Sequence, residues 1–322
     1  MIFPSVFRLF FLAGFLVLPL EAESNPIIGY WQNIADEGHF VGCEEGSFLQ
    51  YTSEKEFRQF VVREYSDTAI NLPNLGPALP GGKTILYRMD GEELSLQRHG
   101  FLENDTLSRS GFHVFRRLVE KPSQLTLRPL KEGQAQLSPE MVEEISTELL
   151  ARMQRDQAAR RREYTQKDQL AQSEDHRWLR EKVSQVGWID LERFSPRVVQ
   201  AAFLIAQHSI DMRLRLVAQK GLEADCQRGF RAEGMLSILA DRNFLYVRGI
   251  QKYGTHFYRT KDQRLVFLPF DERSQIEVRR RSLKMSTFKD YLDQLRQSFP
   301  DHQIEVLDTV RAQKSSASEG SP

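Results

Sequence analysis

Residues 195–211, SPRVVQAAFLIAQHSID, decide how the chain is read. Ser195 and Pro196 form a helix start, a hydroxyl ahead of a proline whose missing N–H costs nothing at the first helical position. Val198, Val199, Ala201, Ala202, Phe203, Leu204, Ile205 and Ala206 follow with only Gln200 among them. A helix apolar over so wide an arc is buried on most sides, so it is expected at the centre of a helical domain. Gln207, His208, Ser209 and Asp211 then end it with polar groups set against core sequence. Such groups are costly to bury unless hydrogen-bonded or paired, which makes them candidates for a site or for a satisfied network.

Two further stretches repeat that pattern downstream, Asp241-Arg242 and Gln251-Lys252-Tyr253-Gly254-Thr255. His208 and Asp211, three apart, share one face of a continuous helix, so Asp211 could orient the imidazole as a base. Equally, Asp211 can cap the next helix, and His208 can complement the C-terminal end of its own. Zinc-protease spacing needs a second His four residues on, and Met212 stands there; a metal would need ligands from elsewhere, Asp241 first. Adjacent helix positions diverge by about 100°, so Asp241 and Arg242 need not pair. Arg242 suits a bidentate grip on a carboxylate or phosphate, or a buried ion pair to the His208 helix. Gly254 relieves a steric or φ constraint at a helix-to-strand junction. Tyr253 and Thr255, two apart, are expected on one face of a strand as a wall of hydroxyls toward His208. Gln251 completes the polar set.

Around this core, helices are expected from Asp175 to Val186, broken by Gly187-Trp188, from Asp211 to Leu222, from Phe230 to Val247 and from Thr287 to Phe299. Strands are expected over Gly254–Thr260 and Arg264–Pro269. Upstream, Ser138-Pro139-Glu140 repeats the cap-and-proline start, and Val142, Ile145, Leu149 and Met153 form one apolar stripe. That stripe fades into Arg155, Arg160, Arg161 and Arg162, so residues 138–165 read as a charged connecting helix. No aromatics interleave those charges, which favours a solvated helix face over a nucleic-acid surface.

Residues 24–132 read as β structure, with strands over Phe57–Glu64, Thr84–Met89, Glu93–Gln97, Phe112–Leu118 and Leu125–Arg128. Asp90-Gly91 marks a hairpin, and the prolines between Asn71 and Gly82 mark an irregular loop. Gly29-Tyr30-Trp31 with Tyr87-Arg88-Met89-Asp90-Gly91-Glu92-Glu93-Leu94 resembles the small bacterial lipocalin-like domains, which pair G-x-W with Y-x-x-D-G-x-x-L. Trp31 is then expected as packing mass closing one end of a barrel. A second resemblance covers residues 166–298. Gly187-Trp188, Gln207-His208-Ser209, Asp211, Ala240-Asp241-Arg242, Gln251-x-Tyr253-Gly254-Thr255, Phe267-Leu268-Pro269-Phe270-Asp271, Arg279-Arg280 and Tyr291-Leu292 resemble, in that order, the bacterial domain-of-unknown-function family 6624. It implies these positions and no reaction. His256 departs from it, where Gln is common.

At the N-terminus, Arg8, the apolar run Leu9–Leu20 and Leu20-Glu21-Ala22 read as a signal peptide over residues 1–22, which makes the protein periplasmic or secreted after cleavage near Ala22. The run is too short for a span of about 20 residues. The 44 Lys and Arg balance 44 Asp and Glu, so overall charge favours neither nucleic acid nor an anionic membrane. Cys43 and Cys226 lack metal or redox spacing and read as separate thiols. Hydrolase elbows, phosphate loops and dinucleotide fingerprints are all missing, and no cofactor is indicated. Residues 311–322 read as a disordered tail.

The chain is therefore expected to be α+β: a small antiparallel β-barrel-like N-terminal domain, a connecting helix, and a mainly α-helical C-terminal domain with a β-hairpin. Gln207, His208, Asp211, Asp241, Arg242, Gln251, Tyr253 and Thr255 are expected to converge. Three readings follow. The first is a site for a polar or anionic small molecule or envelope component, with Arg242 on the anion. The second is a hydrolase with His208 as base, Asp211 or Asp241 as its orienter and Arg242 as anion stabiliser. The third is a satisfied structural network.

Overall fold

The structure, a computed structural model, describes residues 27–306 apart from 53–54, 63, 66–68, 72–83, 98–111, 163–164 and 261. The signal segment 1–22, most of the proline-rich loop and the tail 311–322 lie outside the described residues.

Nine strands build the first region: β1 (Gly29–Asn33), β2 (Phe40–Glu44), β3 (Ser47–Tyr51), β4 (Phe57–Val61), β5 (Glu64–Tyr65), β6 (Ala69–Asn71), β7 (Thr84–Asp90), β8 (Glu93–Gln97) and β9 (Phe112–Leu118). They form one sheet in the order β4-β3-β2-β1-β9-β8-β7-β6-β5, every neighbouring pair antiparallel. This is a meander in which the first strand also pairs with the last. It is not a closed barrel, because the ladder is open between β4 and β5. Those two edges follow each other in the chain, so Val61 and Glu64 lie at most about 11 Å apart and the sheet must curl.

Trp31 is fully buried; its indole N–H donates to the Ile27 carbonyl, and the Arg117 guanidinium lies 5.0 Å over the ring. Arg117 also donates to the Ile28 carbonyl, tying β9 to the chain just before β1. The hairpin between β7 and β8 falls one residue later than expected: Asp90 pairs with Glu93, and the turn residues are Gly91 and Glu92. Only Gly91 has positive φ (57°), which suits a II′ turn with Gly first rather than a I′ turn. Leu125–Arg128 is not a strand. Ser123–Leu125 forms a 3-10 turn instead and drives the buried Leu125 against Gly42, covering the second face of β2. Cys43 is buried in this core and Cys226 lies on a distant helix, both as free thiols.

The second region holds α1 (Pro139–Ala159), α2 (Gln166–Val186), α3 (Pro196–His208), α4 (Met212–Gln227), α5 (Glu233–Arg248), α6 (Ile276–Ser282) and α7 (Phe288–Ser298). Starts and stops follow the local chemistry. Ser138 accepts from Met141 N, Thr165 with Asp168 makes a capping box, and Gly187 (φ 78°) ends α2. α3 is the central helix, with Val198, Val199, Ala201, Ala202, Phe203, Ile205 and Ala206 all buried. α1 does more than connect: Ile145 and Leu149 enter the same core as α3, and the arginines near its C-terminal end and just beyond it are held by acids, Arg155 by Asp175, Arg160 by Asp156 and Arg162 by Asp168. The expected hairpin is part of a three-stranded sheet. β10 (Phe257–Arg259) and β11 (Arg264–Phe267) are antiparallel, and β12 (Gln303–Val306) adds parallel to β11.

The two regions share one apolar core. Met212 from α4, with Leu245 and Tyr246 from α5, packs among the buried strand residues, and the rings of Phe60 and Tyr246 lie 5.7 Å apart. This contact places β4 against α4 and α5.

Candidate functional site

The expected residues separate into a clasp and a cationic group. The clasp is built on Asp241, fully buried on α5. Oδ1 accepts from Lys252 N and Tyr253 N at 2.7 and 2.8 Å, and Oδ2 accepts from Thr255 N and Oγ1 at 2.9 and 2.8 Å. Burial raises its carboxyl above the usual range, and those donors restrain the rise. Gln251, also fully buried, donates through Nε2 to the carbonyls of His256 and Leu268 and accepts through Oε1 from His256 N. Gly254 permits the tight loop: its φ is 71°, and a Cβ there would lie 2.7 Å from Phe288. Tyr253 gives its carbonyl to Arg280. The expected hydroxyl wall facing His208 does not form. Residues 253–255 precede β10 instead of lying in it, and Thr255 turns its hydroxyl to Asp241 and His256.

Asp211 is the N-cap of α4, accepting from Arg213 N, and it also accepts from Phe57 N of β4. Arg180 and Arg213 pair with its other oxygen at 3.2 and 2.9 Å. It therefore joins helix, strand and α2 and does not face His208. Asp241 does not orient His208 either. That place is taken by Asp156 of α1, whose Oδ2 lies 3.1 Å from His208 Nδ1. The contact is at ion-pair distance without the alignment of a hydrogen bond. Burial opposes the ionisation of Asp156, yet His208 and Arg160 hold its carboxyl below the usual range. Burial lowers His208 to about 4, against the pull of Asp156 and with Arg160 and Arg242 adding to the fall. Gln207 is half-buried beside it.

Arg242 lies near enough to both His208 and His256 to push each imidazole toward neutrality. Its own guanidinium is lowered by burial, with Tyr246 opposing and Arg160 adding. Behind it stands Arg215 of α4, 0 % exposed, its guanidinium 4.0 Å over the Tyr246 ring. Arg215 Nε and Nη1 have no hydrogen-bond partner, and burial lowers the group to about 10. His176 of α2 is buried too, with Nε2 unpartnered, and is lowered to about 3 by burial and by His208. Arg160, His176, His208, Arg215 and Arg242 thus gather where α1 to α5 meet, with Arg215 and His176 buried and Arg242 and His208 partly so. Asp156 also borders a cleft of about 260 Å³ between α1 and α2. Among the described residues, no three His, Cys, Asp or Glu side chains cluster as metal ligands.

The sequence reading missed Asp156, His176 and Arg215. Two of these had a signal. Arg215 lies three residues after Met212 and three before Ala218, on the apolar stripe of α4. His176 lies three before Leu179 and seven before Val183, on that of α2. A titratable group on a buried stripe is the informative exception to a hydrophobic face. Asp156 had none, because only the packing of α1 on α3 brings it to His208.

No helix among the described residues is long and apolar enough to cross a membrane. No curated protein and no solved structure matches the chain. Residues 144–302 match a family described as a family of unknown function, DUF6624, and this segment carries every residue of the clasp and of the cationic group.

Proposed function

We propose that the helical domain binds an anionic small molecule, with Arg242 and His208 as its accessible contacts and Arg215 and His176 as the charge and polarity behind them. One observation carries this reading: Arg215 is fully buried, charged, and leaves two guanidinium nitrogens without an acceptor. A buried charge without its partner costs several kcal/mol, so a chain gains by burying it only where something else supplies the acceptor. The carboxylates nearby are already committed, Asp211 to Arg180 and Arg213, Asp156 to Arg160, Asp241 to the clasp. The clasp is the rigid support of the site; Gln251, Tyr253 and Thr255 shape it. If residues 1–22 act as a signal peptide, the ligand is met outside the cytoplasm. The N-terminal region is best read as lipocalin-like on its meander order, its β1–β9 pairing and the Trp31–Arg117 contact.

Thermal unfolding with acetate, phosphate, sulfate and citrate at constant ionic strength tests this. A ligand at a hundred times its Kd stabilises by about 2.7 kcal/mol, a rise of several degrees. At least one multivalent anion is expected to give that rise, and Arg215→Met and Arg242→Met are expected to remove it. No rise with any anion overturns the reading.

A second reading, hydrolysis with His208 as base, is favoured by the 3.1 Å approach of Asp156. A neutral ring held by a carboxylate at Nδ1 presents Nε2 as proton acceptor. It ranks second because the approach lacks hydrogen-bond alignment. Turnover of ester or phosphoester probes that is lost in both His208→Asn and Asp156→Asn would move it ahead.

A further inference from the structure

Away from the clasp and the cationic group, a cavity of about 430 Å³ lies between the 132–135 segment, the 186–193 loop and the C-terminal half of α4. Small-molecule pockets span about 300–1,000 Å³. Its walls include Gly133, Gly187, Trp188, Gly221 and Ala224, so it holds the Gly187-Trp188 pair that the sites above leave unused. Two of the glycines serve close approach. A Cβ at Gly133 would lie 2.0 Å from the Gln185 carbonyl oxygen, and one at Gly221 would lie 2.0 Å from Trp188 Cδ1 and 2.8 Å from its Nε1. Glycine inside a helix is unfavourable, and here it makes room for the indole. The Nε1 edge of the ring thus lies at the wall that Gly221 forms. Trp188 is 3 % exposed, and its N–H has no acceptor, whereas the buried Trp31 donates to the Ile27 carbonyl. A buried indole N–H ordinarily finds such a partner.

The charges around the cavity differ in how firmly they are held. Arg193 pairs with Asp190 at 2.6 Å and donates to the Val186 and Trp188 carbonyls. Arg228 pairs with Asp225 at 2.7 Å and with Glu192 at 3.2 Å. Lys220 and Glu132 stand 3.5 Å apart, with the Lys220 side chain 80 % exposed. So exposed a pair contributes little and exchanges partners readily.

We infer that this cavity takes a small zwitterion of the amino-acid class, its carboxylate accepting from Trp188 Nε1 and Lys220 and its ammonium held by Glu132. Such a ligand replaces each half of the Lys220–Glu132 pair with no charge left over, and it supplies the acceptor that the indole lacks. A simple anion leaves Glu132 unpaired, and a simple cation leaves Lys220 and the indole unpaired. Ala135, Val186 and Ala224 give the ligand's side chain an apolar wall. Arg215 and Arg242 do not line this cavity, so the inference stands apart from the anion reading above.

Isothermal titration of the full chain with L-alanine and L-leucine tests this, beside propionate and ethylammonium, which are alanine without its ammonium and without its carboxylate. At least one amino acid is expected to bind about tenfold or more tighter than either fragment. Trp188→Phe keeps an aromatic ring against Gly221 and removes the N–H, and it is expected to weaken amino-acid binding about tenfold. Lys220→Gln, a change at an exposed side chain, is expected to weaken it as well with the unfolding midpoint unchanged. Arg215→Met is expected to leave amino-acid binding as it is. Neither amino acid binding, propionate binding as tightly, or full affinity in either folded variant overturns the inference and leaves the anion reading standing. Loss of amino-acid binding in Arg215→Met also overturns it, by placing that binding at the cationic group.

Discussion

Asp241 and Arg215 are each fully buried, each ionisable, and sit on neighbouring helices, yet they live in opposite conditions. Asp241 accepts four hydrogen bonds from one short loop. Arg215 has Nε and Nη1 unmet and offers its face to Tyr246. A polar group whose bonding capacity is filled within the chain is structure, and removing it exposes its partners. One left unfilled is a cost to folding that a ligand can offset. Of the eight expected residues, Asp211, Asp241, Gln251 and Thr255 belong with the filled groups, and His208 and Arg242 are members of the cationic group.

The comparison breaks most readily at Asp241. Asp241→Ala strands three N–H groups and a hydroxyl, and is expected to lower stability by about 3–5 kcal/mol, roughly ten degrees in the unfolding midpoint. A loss under about 1 kcal/mol would mean that the clasp opens at no cost and is not a scaffold.

Protonation probes the other side. His176 and His208 are held at about 3 and about 4, below the value of 6.5 in an unfolded chain. The unfolded chain therefore binds more protons as pH falls from about 6.5 toward 4, and stability drops across that window by a few kcal/mol. Above pH 6.5 both contributions are fully present. Denaturant unfolding at pH 7.5, 6, 5 and 4.5 checks this, and a double variant, His176→Phe with His208→Asn, is expected to reduce the slope, His256, also lowered to about 3, supplying what remains.

Gln251→Leu leaves His256 N and Leu268 O without the side-chain partner that Gln251 supplies and is expected to cost about 1–3 kcal/mol. The smallest effect, and the sharpest, belongs to Arg215→Met. It removes a buried charge whose Nε and Nη1 have no acceptor, so stability is expected to hold or rise by about 1–2 kcal/mol while the anion-induced rise is lost. A large destabilisation would place Arg215 with the structural groups and remove the distinction.

Much of this was legible before folding. Ser138-Pro139 starts α1, Gly187 ends α2, and residues 198–206 form the buried centre, because capping chemistry and apolar periodicity act within a few residues. The motif residues were also found correctly as groups set against the core. Their roles were not legible. Asp211 was read as a cap or an orienter and is the cap, while the orienter's place fell to Asp156, on a helix fifty residues away in sequence. The Leu125–Arg128 strand failed because burial there comes from covering β2 and not from joining the sheet.

By itself, then, the sequence determined the α+β class, the capped start of α1 and the glycine end of α2, the central helix and the list of polar residues that needed partners. Each of these depends on backbone propensity or on a pattern read along one element. α2 starts at Gln166 and not at Asp175, and α6 was not expected. Tertiary structure alone decided which of those residues found a partner. It brought Asp241 to the 252–255 loop, carried Asp156 to His208, set β4 over α4 and α5, and left Arg215 Nε and Nη1 without an acceptor. Hydrogen bonds and ion pairs act over about 3 Å, so whether a buried group is satisfied depends on where distant segments meet, and sequence spacing does not encode that distance.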